Sequence, residues 1–417
     1  MSGSSAAPQA VSSDTGVPGK PTVNAGGVDD DVPQPIPNLE LQQLHFVLTS
    51  PRTPGAKGRE VSEALLKGIE TDEMAPYLSA LLAAGVILPS GAKDLHAQLH
   101  AKNEESLKAI DDALVRLEES EGDMEVNAVR RQRAAYLARI GDKTRALEAH
   151  KLAIEKAAGL GSKLDLVLTQ IRIGLFHGDA SITIESIAKA KELVEEGGDW
   201  DRRNRLKVYE GLHLLSTRQF KQGGELFLDA LSTFTATELL SYKDFVTLTV
   251  IANVLTLGRR DIKKKIIDSP EVLQVIDEIE HLRSFSSSLY NCDYAAFFKA
   301  LAEVEQTHLL PSRVLSPHAR YYVREMRLVA YSSVLQSYST ITLPNMAAAF
   351  GVTPEFLDAD LARFIASGRL PAVIDRVAGV VESKKAGGTS MLYSRVIKEG
   401  DLVLSATQRL SRDLGLA

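Results

Sequence analysis

The C-terminal quarter of this 417-residue chain constrains its fold more tightly than any other segment. Between Ala319 and Arg412 the sequence predicts a helix, a tight two-helix unit, two short strands and a long closing helix. The first of these helices carries an apolar stripe at three- and four-residue spacing: Leu328, Tyr331, Leu335 and Tyr338. A helix, a helix–turn–helix unit and a hairpin in this order predict a winged helix.

Turn-forming residues mark where the elements of the predicted winged helix begin and end. Thr342 fits the N-cap of the first short helix, and Gly351 supplies the following turn because glycine enters the left-handed region at low cost. Thr353 and Pro354 fit the N-cap and first position of the second helix. Apolar residues give the two helices their inward faces: Leu343, Met346, Ala347 and Phe350, then Leu357, Leu361, Phe364 and Ile365. Two short runs complete the unit as strands of a hairpin: 372–375 and 379–382.

The charge of the second helix argues against DNA recognition. A helix that lies in the major groove beside phosphates is normally basic, whereas Pro354–Arg363 holds three acidic residues and one basic residue. Arg363, Arg369 and Arg376 form a separate basic edge, which we interpret as solvated charge. The winged helix is therefore predicted to bind protein.

A repeated pattern precedes the winged helix. Residues 100–310 are almost entirely helical in pattern, and a Gly-Asp turn between apolar helices recurs at Gly141-Asp142 and Gly178-Asp179. Weaker copies lie at Tyr209–Phe220, which lacks the Gly-Asp pair, and at Tyr290–Ala295. The first copies are about 37 to 40 residues apart, a period that indicates degenerate helical hairpins of the tetratricopeptide type. Because one such hairpin cannot bury its apolar face alone, the sequence predicts a stacked solenoid.

The composition fits a large helical protein with several parts. The chain is 44% hydrophobic, its net charge is −6, and its single cysteine, Cys292, excludes an intrachain disulfide. We expect no membrane span, since no stretch reaches the roughly 18 apolar residues that one requires. The fold class is therefore predicted to be all-α, a helical-repeat solenoid followed by a winged helix with a short hairpin. The predicted segments are a disordered tail at 1–35, a helical arm at 36–120, the solenoid at 121–310, the winged helix at 311–388 and a closing helix at 389–417.

A search for catalytic chemistry finds little. His96 and His100 have the spacing of a zinc pair but no evident third ligand, and we interpret them as surface histidines. There is no phosphate loop and no nucleophile motif. The densest basic cluster, Arg259-Arg260 with Lys263–Lys265, lacks interleaved aromatic residues for base stacking and is interpreted as a solvated helix end. The sequence predicts no catalytic residue, cofactor or metal site.

The closing helix is the predicted site of protein interaction. Its apolar residues Leu392, Val396, Val403 and Leu410 are spaced by four, seven and seven, and Ile397 and Leu404 lie beside them. A seam of this kind needs another helix to cover it. The winged helix is small, so we expect helices from partner subunits to provide that cover; the alternative is that the closing helix packs back onto the chain's own winged helix.

Several segments of the chain resemble the PCI-domain family. Pro37–Leu41 matches near the start, and Tyr322–Arg327 matches before the winged helix. Further matches lie in and after the winged helix: 347–352, 363–370, 374–382 and 397–402. PCI-domain proteins are scaffold subunits of the proteasome lid, the COP9 signalosome and translation initiation factor three. The resemblance covers about residues 36–413 and is closest to a subunit of the proteasome lid.

The resemblance implies a PCI domain at about 220–388 and a non-catalytic scaffold in the lid of the 26S proteasome regulatory particle, which processes ubiquitylated substrates. It implies a hetero-oligomer with other lid and regulatory-particle subunits, in the cytoplasm and nucleus, with no direct contact to nucleic acid or membrane. Two alternatives stay open: a scaffold like the first subunit of the COP9 signalosome, and an RNA-associated winged-helix factor. An enzyme is disfavoured because the search for catalytic chemistry finds little.

Overall fold

The computed structural model describes residues 34–417, apart from short gaps at 51–54, 88, 90, 121–122, 385–388, 414 and 416–417. The predicted disordered tail therefore lies outside the described residues, except for its last two. From Pro35 onward the chain forms a single unit.

Four helices form the N-terminal arm: α1 (Leu39–Thr49), α2 (Gly55–Thr71), α3 (Ala75–Ala83) and α4 (Ala92–Ser120). The Asn38 side chain caps α1 by accepting a hydrogen bond from the backbone N–H of Glu40. The arm has its own apolar core, which includes Leu41, Leu65, Ile69, Met74, Leu78 and Leu99. Phe176 of a later helix completes this core, with its ring centroid 5.0 Å from that of Tyr77. The arm is thereby packed onto the repeats.

The repeat segment consists mainly of paired helices. Four pairs correspond to the four repeat positions predicted from the sequence: α5 (Asp123–Ile140) with α6 (Lys143–Lys156), α7 (Leu160–His177) with α8 (Ala180–Gly197), α9 (Trp200–Ser216) with α10 (Phe220–Leu231), and α14 (Leu282–Asn291) with α15 (Tyr294–Val304). Between the third and fourth pairs lie α11 (Tyr242–Thr256), α12 (Arg259–Ile262), a π-helical turn (Lys263–Ile267) and α13 (Pro270–Ile276). The prediction of stacked helical hairpins is confirmed.

One backbone position explains why the Gly-Asp signal is degenerate. The residue before the N-cap of each second helix is left-handed in all four pairs: Gly141 (φ 80°), Gly178 (φ 68°), Arg218 (φ 67°) and Cys292 (φ 61°). Three of these pairs then cap the second helix with an aspartate side chain, from Asp142, Asp179 and Asp293. The geometry of the turn is therefore conserved within the chain even where glycine is replaced.

The winged helix follows a π-helical turn (Glu305–Leu309) and a 3₁₀ turn (Ser316–His318). Its elements are α16 (Ala319–Ser337), β1 (Thr340–Thr342), α17 (Leu343–Phe350), α18 (Pro354–Ala366), β2 (Ala372–Asp375) and β3 (Val380–Ser383). The strands form an antiparallel sheet in the order β1-β3-β2. One apolar core runs from the repeats into this domain. Within it the buried Tyr322 hydroxyl donates a hydrogen bond of 2.8 Å to the carbonyl oxygen of Ile251 in α11.

The predicted turn chemistry of the winged helix is largely confirmed. Gly351 is left-handed (φ 65°), and the Thr353 hydroxyl caps α18 by accepting a hydrogen bond from the backbone N–H of Phe356. Thr342 does occupy the N-cap of α17, but its side chain makes no capping hydrogen bond. The predicted apolar stripe of α16 wrongly included Tyr338. The helix ends at Ser337, and Tyr338 beyond it is exposed. Strand β1 was missed altogether.

Candidate protein-interaction surfaces

The closing helix α19 (Thr389–Asp413) exposes its apolar residues. The four predicted interaction residues Leu392, Val396, Val403 and Leu410 are between 58% and 68% exposed. Three neighbouring apolar side chains are similarly exposed: Tyr393, Ile397 and Leu404. The rest of the described chain therefore leaves this seam uncovered.

Seven exposed apolar residues of α19 lie on one broad face, and Leu402, 71% exposed, lies about 80° outside it. At about 100° per residue, one stripe contains Leu392, Val396, Val403 and Leu410, and the adjacent stripe contains Tyr393, Ile397 and Leu404. Together the stripes span about 140° of the helix surface, wider than the narrow seam of a two-stranded coiled coil. Gly400 lies between them, and no atom is within 4 Å of the position a Cβ would take there. The face has room for more than one neighbouring helix.

Two of the three acidic residues of α18 form ion pairs inside the winged helix. Asp360 is only 4% exposed. It accepts a hydrogen bond of 3.1 Å from the Tyr331 hydroxyl and pairs with Arg327 of α16 at 3.1 Å. Burial and the neighbouring Asp360 carboxylate raise the pKa of Tyr331. Asp358 pairs with Arg376 of the wing at 2.9 Å. These acids join α18 to α16 and to the wing.

Arg369 and Arg376 are exposed, as expected of solvated charge, but each also forms an ion pair that the sequence did not predict. Arg376 pairs with Asp358, and Arg369 forms a two-pronged ion pair with Glu325, with one N–O distance of 2.6 Å. Glu325 is buried, and its hydrogen bonds raise the pKa of the Arg369 guanidinium. Only Arg363 of the three is exposed with no ion pair to another described residue. Sequence patterns could not indicate these pairs, because they join residues up to 44 positions apart.

The basic cluster Arg259–Lys265 forms an exposed surface on α12 and the π-helical turn. Its two arginines and three lysines make no ion pair with any described residue. The guanidinium carbon of Arg259 lies 5.2 Å from the ring centroid of Tyr290, and the Lys263 ammonium lies 5.6 Å from the same centroid. The cluster thus has an aromatic neighbour that the sequence run lacked, supplied by α14.

The histidine pair gives no sign of a metal site. The rings of His96 and His100 are 6.0 Å apart on α4, and His100 lies 3.8 Å from Glu104. Across the described ranges, no three metal-ligating side chains come together. No described helix is both long and apolar enough to cross a membrane.

The fold and its exposed surfaces define a class of protein. Stacked helical hairpins share one core with a winged helix, and an uncovered apolar helix follows, which is the architecture of a PCI-domain scaffold. Two family profiles match the chain: "26S proteasome subunit RPN7" at residues 93–265 and "PCI domain" at residues 293–385. The chain belongs to the family of 26S proteasome subunit RPN7.

Relatives from distant organisms match the chain over almost its full length. A protein of Oryza sativa subsp. japonica named 26S proteasome non-ATPase regulatory subunit 6 is 41% identical over 391 residues, which is 94% of this chain and 100% of the relative. Its Arabidopsis thaliana homologue is 42% identical over 380 residues, 91% of this chain and 97% of the relative. The 26S proteasome regulatory subunit RPN7 of Saccharomyces cerevisiae is 37% identical over 397 residues, 90% of this chain and 92% of the relative. The similarity therefore includes the repeats as well as the winged helix.

Proposed function

We propose that this chain is a non-catalytic scaffold subunit in the lid of the 26S proteasome regulatory particle. The proposal is supported by the names of its relatives, which are regulatory subunits of the 26S proteasome, and by the matching PCI domain. The word non-ATPase in those names supports a role without ATP hydrolysis. In this role the chain acts in ubiquitin-dependent protein degradation, in the cytoplasm and nucleus, by holding other lid and regulatory-particle subunits in place.

The exposed face of α19 is the observation that carries the proposal. Fully burying a Val or Leu side chain contributes about 1.5–3 kcal/mol. Seven apolar side chains that are about two-thirds exposed therefore offer on the order of 10 kcal/mol when they are covered. Association costs roughly 4–15 kcal/mol in lost freedom, so one weak contact does not suffice. A bundle in which several helices cover α19 together is the arrangement that satisfies this balance.

The winged helix supplies a second docking surface, through which we infer that it pairs with the winged helices of neighbouring PCI subunits. Strands β1 and β2 are the edges of the sheet, and Val377 at the tip of the wing is almost fully exposed. The tip is held in shape because the Asp375 carboxylate accepts hydrogen bonds from the backbone N–H groups of Val377 (2.9 Å) and Ala378 (3.1 Å). A rigid apolar tip beside an edge strand favours a protein partner.

The test compares two substitutions that add the same charge to opposite faces of α19. Val403→Asp places a carboxylate in the seam, where covering it is costly. Ser405→Asp lies two residues away, about 200° around the helix at 100° per residue. Affinity-tagged variants are expressed in the source cells, and co-purifying subunits are identified by mass spectrometry. We expect Val403→Asp to lose the lid subunits and Ser405→Asp to keep them.

The thermal melt of the free chain completes the test. Because Val403 is 66% exposed, Val403→Asp should leave the melting temperature nearly unchanged. Normal assembly of Val403→Asp would contradict the proposed role of the seam. Recovery of signalosome subunits with the wild-type chain, instead of proteasome subunits, would favour the signalosome alternative. An RNA-associated factor would instead bind RNA with a steep salt dependence that disappears when the cations of Arg259–Lys265 are replaced.

A further inference from the structure

The connection between the last repeat and the winged helix makes hydrogen bonds and apolar contacts along its length. We call residues 305–318 the strap. It begins with the π-helical turn, ends with the 3₁₀ turn and leads directly into α16. The side chains of Leu309 and Leu315 are buried in the core that the repeats and the winged helix share. The strap is therefore part of the packed structure and does not behave as a loose linker.

Three side chains of the strap donate hydrogen bonds to backbone carbonyl groups of the repeat segment. His308 donates to Glu280 (2.9 Å), Arg313 to Leu175 (2.7 Å) and His318 to Ser216 (2.7 Å). These acceptors are far apart in sequence, so the strap crosses several repeats.

Two of the acceptors lie at helix ends. Leu175 is in the last turn of α7, and Ser216 is the last residue of α9. Carbonyl groups in the last turn of a helix lack intrahelical partners and carry the negative end of the helix dipole. The half-buried guanidinium of Arg313 adds a second hydrogen bond to the Leu175 carbonyl oxygen, which also accepts one of 3.3 Å from the backbone N–H of Gly178. Burial lowers the pKa of Arg313 below the ordinary arginine value.

Helix α1 also contacts the strap, through Gln43. The Gln43 side-chain amide donates a hydrogen bond of 2.5 Å to the carbonyl oxygen of Pro311, and its oxygen accepts one of 3.0 Å from the backbone N–H of Arg313. One glutamine of α1 thus clamps backbone atoms about 270 positions later in the chain. The same three-residue stretch of the strap is bonded to α1 through its backbone and to α7 through the Arg313 side chain.

We propose that the strap couples the position of the N-terminal arm to that of the winged helix. A displacement of α1 breaks the clamp at Pro311 and Arg313, and only five residues separate Arg313 from Ala319, the first residue of α16. Since α16 carries Arg327 and Glu325, which pair with α18 and Arg369, a shift of the strap reaches the winged helix directly. The two ends of the molecule therefore open as one unit, without any requirement for a partner protein or for the proposed scaffold role.

Hydrogen exchange on the full chain tests this coupling with a matched pair of substitutions. Gln43→Ala removes the clamp. Gln42→Ala truncates the neighbouring glutamine, whose side chain makes no hydrogen bond to any described residue. Losing both hydrogen bonds of the clamp should speed exchange of amides in the strap and the first turn of α16 by about tenfold in Gln43→Ala. Gln42→Ala should leave them at the wild-type rate.

The reciprocal substitution supplies the decisive result. Arg313→Met removes the bond to Leu175 and should speed exchange in α1, because coupling between two elements acts in both directions. If this variant fails to fold, Arg313→Lys, which keeps the charge but loses the planar fork, takes its place. Faster exchange confined to α1 in Gln43→Ala, or unchanged exchange of α1 in the Arg313 variant, would overturn the proposal.

Discussion

Removing the carboxylate of Asp360 should loosen the winged helix, whereas removing that of Asp358 should not. Both aspartates lie on α18, two residues apart, and both pair with an arginine. Asp360 is buried between Arg327 and the Tyr331 hydroxyl. Asp358 meets Arg376, whose side chain is 70% exposed. The pair of sites therefore separates the effect of burial from that of charge.

The expected losses of folding free energy differ because water can reach the Asp358–Arg376 pair but not the buried Asp360 carboxylate. Removing one partner of a buried ion pair costs about 3–5 kcal/mol, and Asp360→Ala should fall near 3 kcal/mol because the Arg327 side chain keeps 24% exposure. Asp360→Asn keeps an acceptor for the Tyr331 hydroxyl but loses the charge, and should cost about 1–2 kcal/mol. Asp358→Ala should cost at most about 1 kcal/mol, the range of exposed pairs.

Local measurement is required because a chain of stacked repeats need not unfold in two states. Hydrogen exchange of amides in α17 and α18 gives the free energy of local opening, and urea unfolding by circular dichroism shows whether the repeats are disturbed. The expected order of destabilisation is Asp360→Ala, Asp360→Asn, Asp358→Ala. Equal effects of the two alanine substitutions would refute the argument that burial of the Asp360 pair fixes α18 on α16.

Two further substitutions test the repeats. His150 is buried, and burial lowers its pKa from 6.5 to about 4; the folded state therefore binds fewer protons than the unfolded state between these values, and stability should fall as the pH drops from 6.5 towards 4 by at most about 3 kcal/mol. Urea unfolding of His150→Gln should show a smaller loss over the same interval. Arg218 is left-handed and lies 4.9 Å from the Tyr321 ring centroid; Arg218→Ala should therefore be less stable than Arg218→Gly by about 1 kcal/mol in thermal melts, since only glycine relieves the backbone strain.

Local signals in the sequence predicted the winged helix well. The N-cap at Thr353, the left-handed Gly351 and the apolar periodicity of α18 depend on neighbours within one or two turns, and all three are confirmed. Strand β1 escaped prediction because it has three residues and exists only through pairing with β3, about 40 residues later. Tyr338 was placed on α16 because periodicity alone does not show where a helix ends. It follows Ser337 with an extended backbone.

The interaction surfaces were predicted only in part, for a similar reason. An unpaired apolar stripe is visible in sequence, and the exposed side chains of α19 lie where the spacing placed them. The role of that stripe in assembly stays a prediction. Charged residues carry no such pattern, because whether Arg369 forms an ion pair depends on Glu325, 44 positions away. The strap was not predicted because single hydrogen bonds between segments far apart in the sequence hold it in place.

The structure changes the reason why α18 is unsuited to recognise DNA. Two of its three acidic residues form ion pairs with Arg327 and Arg376. Acidic charge on α18 is therefore not what would keep phosphates away. Among the residues described, Glu355 and Arg363 remain as its unpaired charges, and they balance. A helix that reads the major groove needs several free cations beside the phosphates. Arg327, Arg369 and Arg376 are each already paired with a carboxylate of the same domain, which leaves Arg363 as the one unpaired cation of α18 among the residues described. The exposed Phe356 on the same helix suits a protein surface better than a phosphate backbone.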